Sequence, residues 1–228
     1  MSSSSRKRGS ERVQTRSVTR RELLLDTAVE LLGERAPDEI SLSDISNRAE
    51  IAVGSAYHHF ANANAIFAAL AARFAVELDL RLAEAYTEDE AEDWQSIVET
   101  AVLRTTQLYN ERPDYRQLIL GGKAPAEIKL LDRENDEAVG QIIIDAISQQ
   151  FVIPEFPRRV EIFFIAVEIA DLVFMLSQMR HGEITPTMRE EAQTAMVSYL
   201  RAYLPTHLPR KPATNPLQDD SEITKVRE

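Results

Sequence analysis

Apolar residues recur along most of this chain with the period of a helix. Leu25, Ala28, Val29 and Leu32 share one face near the N-terminus, with Leu24 and Leu31 widening it. Thr19 and Glu22 precede that face at capping-box spacing, which predicts a helix from Arg20 to about Arg35, ended by Pro37. Ser41 and Asp44 repeat the device and predict a second helix that buries Leu42, Ile45 and Ala49. It is only about two turns long, so it needs neighbours to be stable. A short connection, Glu50-Ile51-Ala52, leads to a third helix from about Val53 to His59.

Further helices are predicted over residues 64–85, 92–109, 114–120, 126–150, 157–180 and 186–203. The last has Thr185 as its cap, Pro186 at its first position and Glu190-Glu191 in its first turn, with Gly182 separating it from the helix before. No strand alternation and no internal repeat are present. The pattern predicts an all-α fold: a three-helix unit over residues 19–63 and a larger helical domain over residues 64–204. Residues 1–18, rich in Ser and Arg, are expected to be a disordered basic arm. Residues 205–228, rich in Pro and charge, are expected to be a disordered tail.

The chain of 228 residues is 44% hydrophobic, enough for a buried core. It has no cysteine, which excludes disulfides, Cys-ligated zinc and thiol nucleophiles and fits a cytoplasmic location. The apolar run Ile162 to Val167 is too short to span a bilayer. No apolar stretch of about 7–15 residues follows the basic N-terminus, so no secretory leader is expected. A net charge of −11 argues at first against nucleic acid. Its distribution reverses that reading. Residues 1–60 carry nine basic and nine acidic side chains, and within residues 1–21 seven basic side chains stand against Glu11 alone. A basic start on an acidic body suggests an anionic partner held at one end.

Two short helices joined by a tight turn, after a longer one, make a helix-turn-helix pattern. Its second helix enters the DNA major groove. The stretch Val53-Gly54-Ser55-Ala56-Tyr57-His58-His59 suits that place. Gly54 and Ala56 permit close approach, Ser55 can reach a base edge or a phosphate, and Tyr57, His58 and His59 can donate to phosphate oxygens. Adjacent helical residues point about 100° apart, so His58 and His59 do not suit one metal ion. No metal and no cofactor are expected. No nucleophile elbow or phosphate loop is present, so an enzyme is not expected.

Residues 24–66, "LLDTAVELLGERAPDEISLSDISNRAEIAVGSAYHHFANANAI", resemble without gaps the DNA-binding domain of the TetR family of bacterial transcriptional regulators. Tyr57-His58-His59-Phe60 is the most specific part. The family's Gly after Ala49 is here Glu50, its Ser is Ala52, its phosphate-binding Lys is Ala63, and the Gly that closes helix one is replaced by Ala36-Pro37. The resemblance implies a homodimer on a double-stranded, near-palindromic operator, contacted through Ser41, Ser43, Arg48, Val53, Gly54, Ser55, Tyr57, His58, His59 and Asn62. It implies a C-terminal ligand-binding and dimerisation domain in which a small-molecule effector releases the repressor.

Trp94, Gln107, Tyr109, Tyr115, Asp171, Met175 and Gln178 are the candidate effector contacts. Glu168 and Asp171 sit mid-way along an apolar helix, where a carboxylate needs a partner or exposure. Ion pairing, within the subunit or across a dimer, and a place on the cavity wall are both open. The helices over 157–180 and 186–203 are expected to form the dimer seam as a four-helix bundle, the second through Ala192, Ala195, Met196, Tyr199 and Tyr203. The rival readings are a helical protein-interaction module without DNA binding and a helical enzyme.

Overall fold

The computed structural model describes residues 4–212, with side chains from residue 19 onward. The described residues form nine α-helices: α1 (Ser4–Glu34), α2 (Leu42–Arg48), α3 (Val53–Tyr57), α4 (Ala63–Leu82), α5 (Trp94–Glu111), α6 (Pro113–Ile119), α7 (Ala126–Gln150), α8 (Arg159–His181) and α9 (Pro186–Leu200). A 3-10 turn, Pro37–Glu39, links α1 to α2, and the only β pairing among these residues is an isolated bridge between Phe151 and Arg210.

α1 begins at Ser4, not at Arg20. Residues 4–18 continue the helix where the sequence suggests a separate arm. No proline interrupts this stretch, and its Arg, Lys, Gln and Glu residues are good helix formers. A capping-box spacing marks a start only where the chain upstream leaves the helix. Residues 1–3 of the expected arm lie outside the described residues.

The second capping box forms as read. The Asp44 amide donates to Ser41 Oγ at 3.1 Å and the Ser41 amide donates to Asp44 Oδ2 at 2.8 Å. Leu42 and Ile45 of α2, Ala56 of α3 and Phe60 then close on Leu24, Leu25, Ala28, Leu31 and Leu32 of α1, all buried. The Asn62 side chain caps α4, accepting from the Ala65 amide at 2.9 Å. The buried row Ile66, Phe67, Leu70, Phe74 and Leu78 of α4 runs from this small unit into the larger domain. There α7 packs on α4 and α8, and α9 packs on α5 and α8. The α7–α8 approach needs a glycine at one place: a Cβ on Gly140 would lie 3.1 Å from the Phe164 amide nitrogen.

Residues 205–211 are strapped to the body, although the sequence suggests a tail from residue 205. The Trp94 indole N–H donates to the Pro205 carbonyl at 2.9 Å, and Arg210 Nη2 donates to the Ala91 and Glu92 carbonyls, each at 2.8 Å. The Val152 amide donates to Pro209 O, and the Lys211 amide to Gln150 O. Polar side chains reaching carbonyls hold this proline-rich stretch, which periodicity does not register. Residues 213–228 lie outside the described residues.

Candidate functional site

α3 turns Ala56 inward and leaves Gly54, Tyr57 and His58 exposed at i, i+3, i+4 spacing, one face of the helix. Tyr57 is 57% exposed, which excludes a core role. Val53, Ser55 and His59 are half-buried. Ser43 and Asn62 are exposed beside this face, while the Ser41 hydroxyl is engaged in the α2 cap. Arg48 is held by Glu34 through two hydrogen bonds of 3.1 and 2.9 Å, so a phosphate contact from it must displace that pair. No side chain caps α3, because its cap position is Ala52. Glu50, where the helix-turn-helix bends, has φ of 54°, in the left-handed region that favours glycine.

The larger domain encloses a cavity between α4, α5, α7, α8 and α9. Leu78, Val102, Tyr109, Val139, Phe174 and Met196 are among its walls. It is narrow, about 30 Å³, room for about two waters. A wider recess of about 390 Å³ lies on its outer side, bounded by Leu120, Lys129, Arg133, Glu168, Leu172 and Met175. Asp132, Asp136 and Asp171 line both spaces and form the wall between them. Asp132 and Asp136 stand at i, i+4 on α7, and Asp171 meets them from α8. One carboxylate oxygen of each lies within 4.8 Å of the others.

Three carboxylates this close, in an apolar wall, resist being charged together. Burial first, then the charge of Glu168, pushes the Asp132 carboxyl up to about 7. Burial and then Asp171 push Asp136 up to about 10. Burial, Asp132 and Glu168 raise Asp171 well above the usual carboxylate range. Glu168 is different. Arg133 Nε lies 3.2 Å from its Oε1, close enough for an ion pair though misaligned for a hydrogen bond. Tyr109 is 2% exposed, ring-packed on Phe74 and Phe174 at 4.9 and 6.2 Å. Burial raises its phenol well above the ordinary value, and Asp132, Asp171 and Asp136 raise it further.

The model of the bacterial regulatory proteins of the tetR family matches residues 24–70, and that of the tetracyclin repressor-like C-terminal domain matches residues 92–204. The chain belongs to the TetR family. Its fold is that of several solved family members. A TetR-family transcriptional regulator from Streptomyces coelicolor aligns with TM-score 0.64 at 23% identity, over 82% of this chain and 98% of that one. SmeT, repressor of the Stenotrophomonas maltophilia multidrug efflux pump SmeDEF, aligns with TM-score 0.57 at 17% identity, over 81% of this chain and 90% of that one. SmeT in complex with triclosan aligns with TM-score 0.56 at 17% identity, over 87% and 99%. No curated protein matches the chain.

Most of the small helical unit falls within the stretch matched by the tetR-family model, and most of the cavity's wall residues fall within the stretch matched by the C-terminal-domain model. Of the effector contacts read from sequence, Tyr109 and Asp171 line the inner cavity and Met175 the outer recess. The rest sit elsewhere. Trp94 is fully buried and anchors the 205–211 strap. Gln107 is exposed. Tyr115 packs on Phe74 at 5.0 Å with the Arg112 guanidinium 4.1 Å above its ring. Gln178 accepts from Arg116 Nε at 2.8 Å and donates to Gln117 Oε1. Asp132 and Asp136 were missed. A signal existed: the row 132, 136, 139, 143 reads Asp, Asp, Val, Ile, two carboxylates on an otherwise apolar face.

Proposed function

We propose that this TetR-family regulator is a repressor that binds a near-palindromic operator as a homodimer and is released by a small-molecule effector bound in the C-terminal domain, where the outer recess of about 390 Å³ has room for one. The observation that carries the DNA reading is the outward face of α3. Gly54, Tyr57 and His58 are exposed with no partner among the described residues, on a helix short and open enough to enter the major groove. Ser55 and Val53 suit base-edge and methyl contacts, Tyr57, His58, Ser43 and Asn62 the backbone.

One α3 gives too few base contacts for genomic specificity, and a two-fold dimer doubles them. α8 supports that assembly. Ile165, Ile169, Leu172, Leu176 and Met179 form one stripe along it at alternating four- and three-residue spacing, with Leu172 52% and Met179 66% exposed. An exposed apolar stripe of that period suits a helix seam with a second copy. The α9 part of the seam differs from the sequence reading: Ala192 and Met196 point into their own subunit, both essentially fully buried. Tyr199 and Tyr203, packed at 5.4 Å, remain available at the far end of the helix.

The effector reading rests on a cavity in direct contact with α4, the helix that continues into the DNA-binding domain. SmeT, whose fold this chain shares, has been solved with triclosan, which supports a small-molecule site here. A ligand that binds one spacing of the two α3 helices better than another shifts the population by that difference alone. No helix among the described residues is long and apolar enough to cross a membrane, and we place the regulator in the cytoplasm with no enzymatic role. Sedimentation of the full chain, alone and with operator-length duplex at low salt, tests this. Two protomers per duplex are expected, and a monomer that leaves DNA unbound overturns the reading.

A further inference from the structure

We propose that Asp132, Asp136 and Asp171 form a binding site for a hard divalent cation, of calcium or manganese size, in the wall between the inner cavity and its outer recess.

The donor set is the first observation. Three carboxylate oxygens lie within 4.8 Å of one another, and an ion about 2.3–2.6 Å from each fits between them with little movement. Every donor is oxygen, with no His and no Cys, the set that suits calcium, manganese or magnesium over zinc or copper. Magnesium is the poorest fit, since its shorter bonds, about 2.0–2.1 Å, need the carboxylates drawn closer together.

The second observation concerns partners. Asp136 is 5% exposed yet forms no hydrogen bond and no ion pair with any described residue, and it lines the spaces on both sides. A buried carboxylate without a partner is costly, and native structures keep one chiefly where something else supplies the partner. Arg133, whose charge opposes the rise of all three aspartates, makes its ion pair with Glu168 instead. No Lys or Arg among the described residues pairs with any of the three aspartates.

Tyr109 is a third, separate observation. Its hydroxyl is buried on the cavity wall, feels the charge of all three carboxylates and makes no hydrogen bond to a described residue. A polar atom left open there suits a water in an ion's coordination shell. The size of the inner space decides between sources of positive charge. About 30 Å³ accepts an ion with about one water and no alkyl chain, so an organic amine can reach the carboxylates only from the outer recess. Charge agrees, because a divalent ion can displace the protons that the crowded carboxyls hold in its absence, whereas one ammonium offsets a single charge.

The packing of the chain holds the donors in place. Asp132 and Asp136 are fixed by the turn of α7, and Gly140, one turn beyond Asp136, admits the α8 backbone that carries Asp171. The binding itself stands on this geometry; only a part for the ion in effector recognition rests on the reading of the cavity given above.

The test is calorimetric titration of the full chain, freed of metal by chelator, with Ca2+, Mn2+ and Mg2+ and without DNA. One ion per protomer is expected, with Ca2+ or Mn2+ tighter than Mg2+. Outer-shell partners alone are worth about 10–100-fold in metal affinity, so Asp136→Asn and Asp171→Asn are expected to weaken binding by at least about 10-fold. Glu134→Gln, an exposed α7 carboxylate outside the cluster, leaves it unchanged. Removing a buried like charge does not threaten folding, so lost binding in these variants reads on the site. Absence of binding at millimolar ion, binding unchanged in both variants, or binding of n-hexylamine in place of metal overturns the proposal. Operator binding measured separately in chelator tests the regulator reading, so either can fail without the other.

Discussion

The Arg73 guanidinium on α4 pairs with the Glu22 carboxylate on α1, and its other nitrogen lies 3.6 Å from Asp26 Oδ1. This pair ties the first helix of the DNA-binding domain to the helix whose Leu78 lines the cavity. Arg112 makes a second tie, from Glu77 of α4 at 2.8 Å to Asp114 of α6, and α6 packs on α1. Under the proposed effector response, a shift of α4 would reach α1 directly and through α6. Arg73→Ala is expected to lower stability by less than about 1 kcal/mol, since all three groups are more than one-third exposed or close to it. It is expected to change operator affinity while leaving cation binding intact. Fluorescence anisotropy with labelled duplex, beside thermal melting, checks both. A melting loss with operator affinity unaltered would show the pair to be structural only.

Glu50 carries backbone strain where the related family pattern has glycine. A non-glycine residue in the left-handed region costs roughly 1–2 kcal/mol. Glu50→Gly relieves this and gives back part through greater unfolded-state freedom. A net gain of about 0.5–1 kcal/mol in stability is expected. Operator affinity should rise too, because an exposed negative charge leaves the turn that, in the proposed complex, lies beside the DNA backbone. Denaturant melts and operator titration read the two effects.

Tyr57→Ala is expected to leave the fold intact and weaken binding to every sequence alike, by roughly tenfold for a hydrogen bond to a charged phosphate. Ser55→Ala and Val53→Ala are expected instead to change which bases are preferred. Competition between related duplexes separates the two patterns. Loss of sequence preference in Tyr57→Ala with affinity retained would place Tyr57 on a base edge.

The carboxylate cluster is expected to cost stability when no cation is bound. Asp136→Asn, replacing a buried carboxyl that folding forces to take up a proton at neutral pH, is therefore expected to raise the melting temperature of chelator-treated protein. Each kcal/mol relieved corresponds to about 2–4 °C in a protein of this size. Saturating Ca2+ should narrow or reverse the gap between parent and variant. A variant that melts below the parent in chelator would mean that the parent carboxyl has a partner after all.

The helical architecture and the outward face of α3 were legible in the sequence because both rest on local rules. The Ser41–Asp44 box, the Thr185–Pro186 start and the bounds of α7 follow from caps and 3.6-residue spacing. The Thr19 start failed because a cap residue stops nothing when the chain above it is also helix-forming. The 205–211 strap was hidden since its hydrogen bonds come from Trp94 and Arg210 far along the sequence. Glu168 pairs within the subunit, one of the two readings open for it, while Asp171 turned out to line the cavity. That difference was not legible. Both lie on the same helix three residues apart, and only the position of α7 tells which one meets Arg133 and which meets Asp132 and Asp136. Trp94 and Tyr115 misled as pocket residues because an aromatic at helical spacing looks the same in a core and in a cavity wall.

Leu172→Glu with Leu176→Glu places two charges in the exposed α8 stripe and is expected to yield monomers that keep the helical fold. The monomer should lose operator affinity far more than an exposed two-residue change on the opposite end of the molecule could cause directly. A variant that stays dimeric would move the seam off α8.

The central claim, a dimer reading a two-fold DNA site through α3, is tested most directly by selecting bound duplexes from a random pool with the full-length chain. The account predicts enrichment of an inverted repeat whose half-sites are spaced for two α3 helices, lost with Tyr57→Ala and with the α8 double variant. A pool that stays random, or one enriched in an asymmetric site bound equally well by both variants, would contradict it.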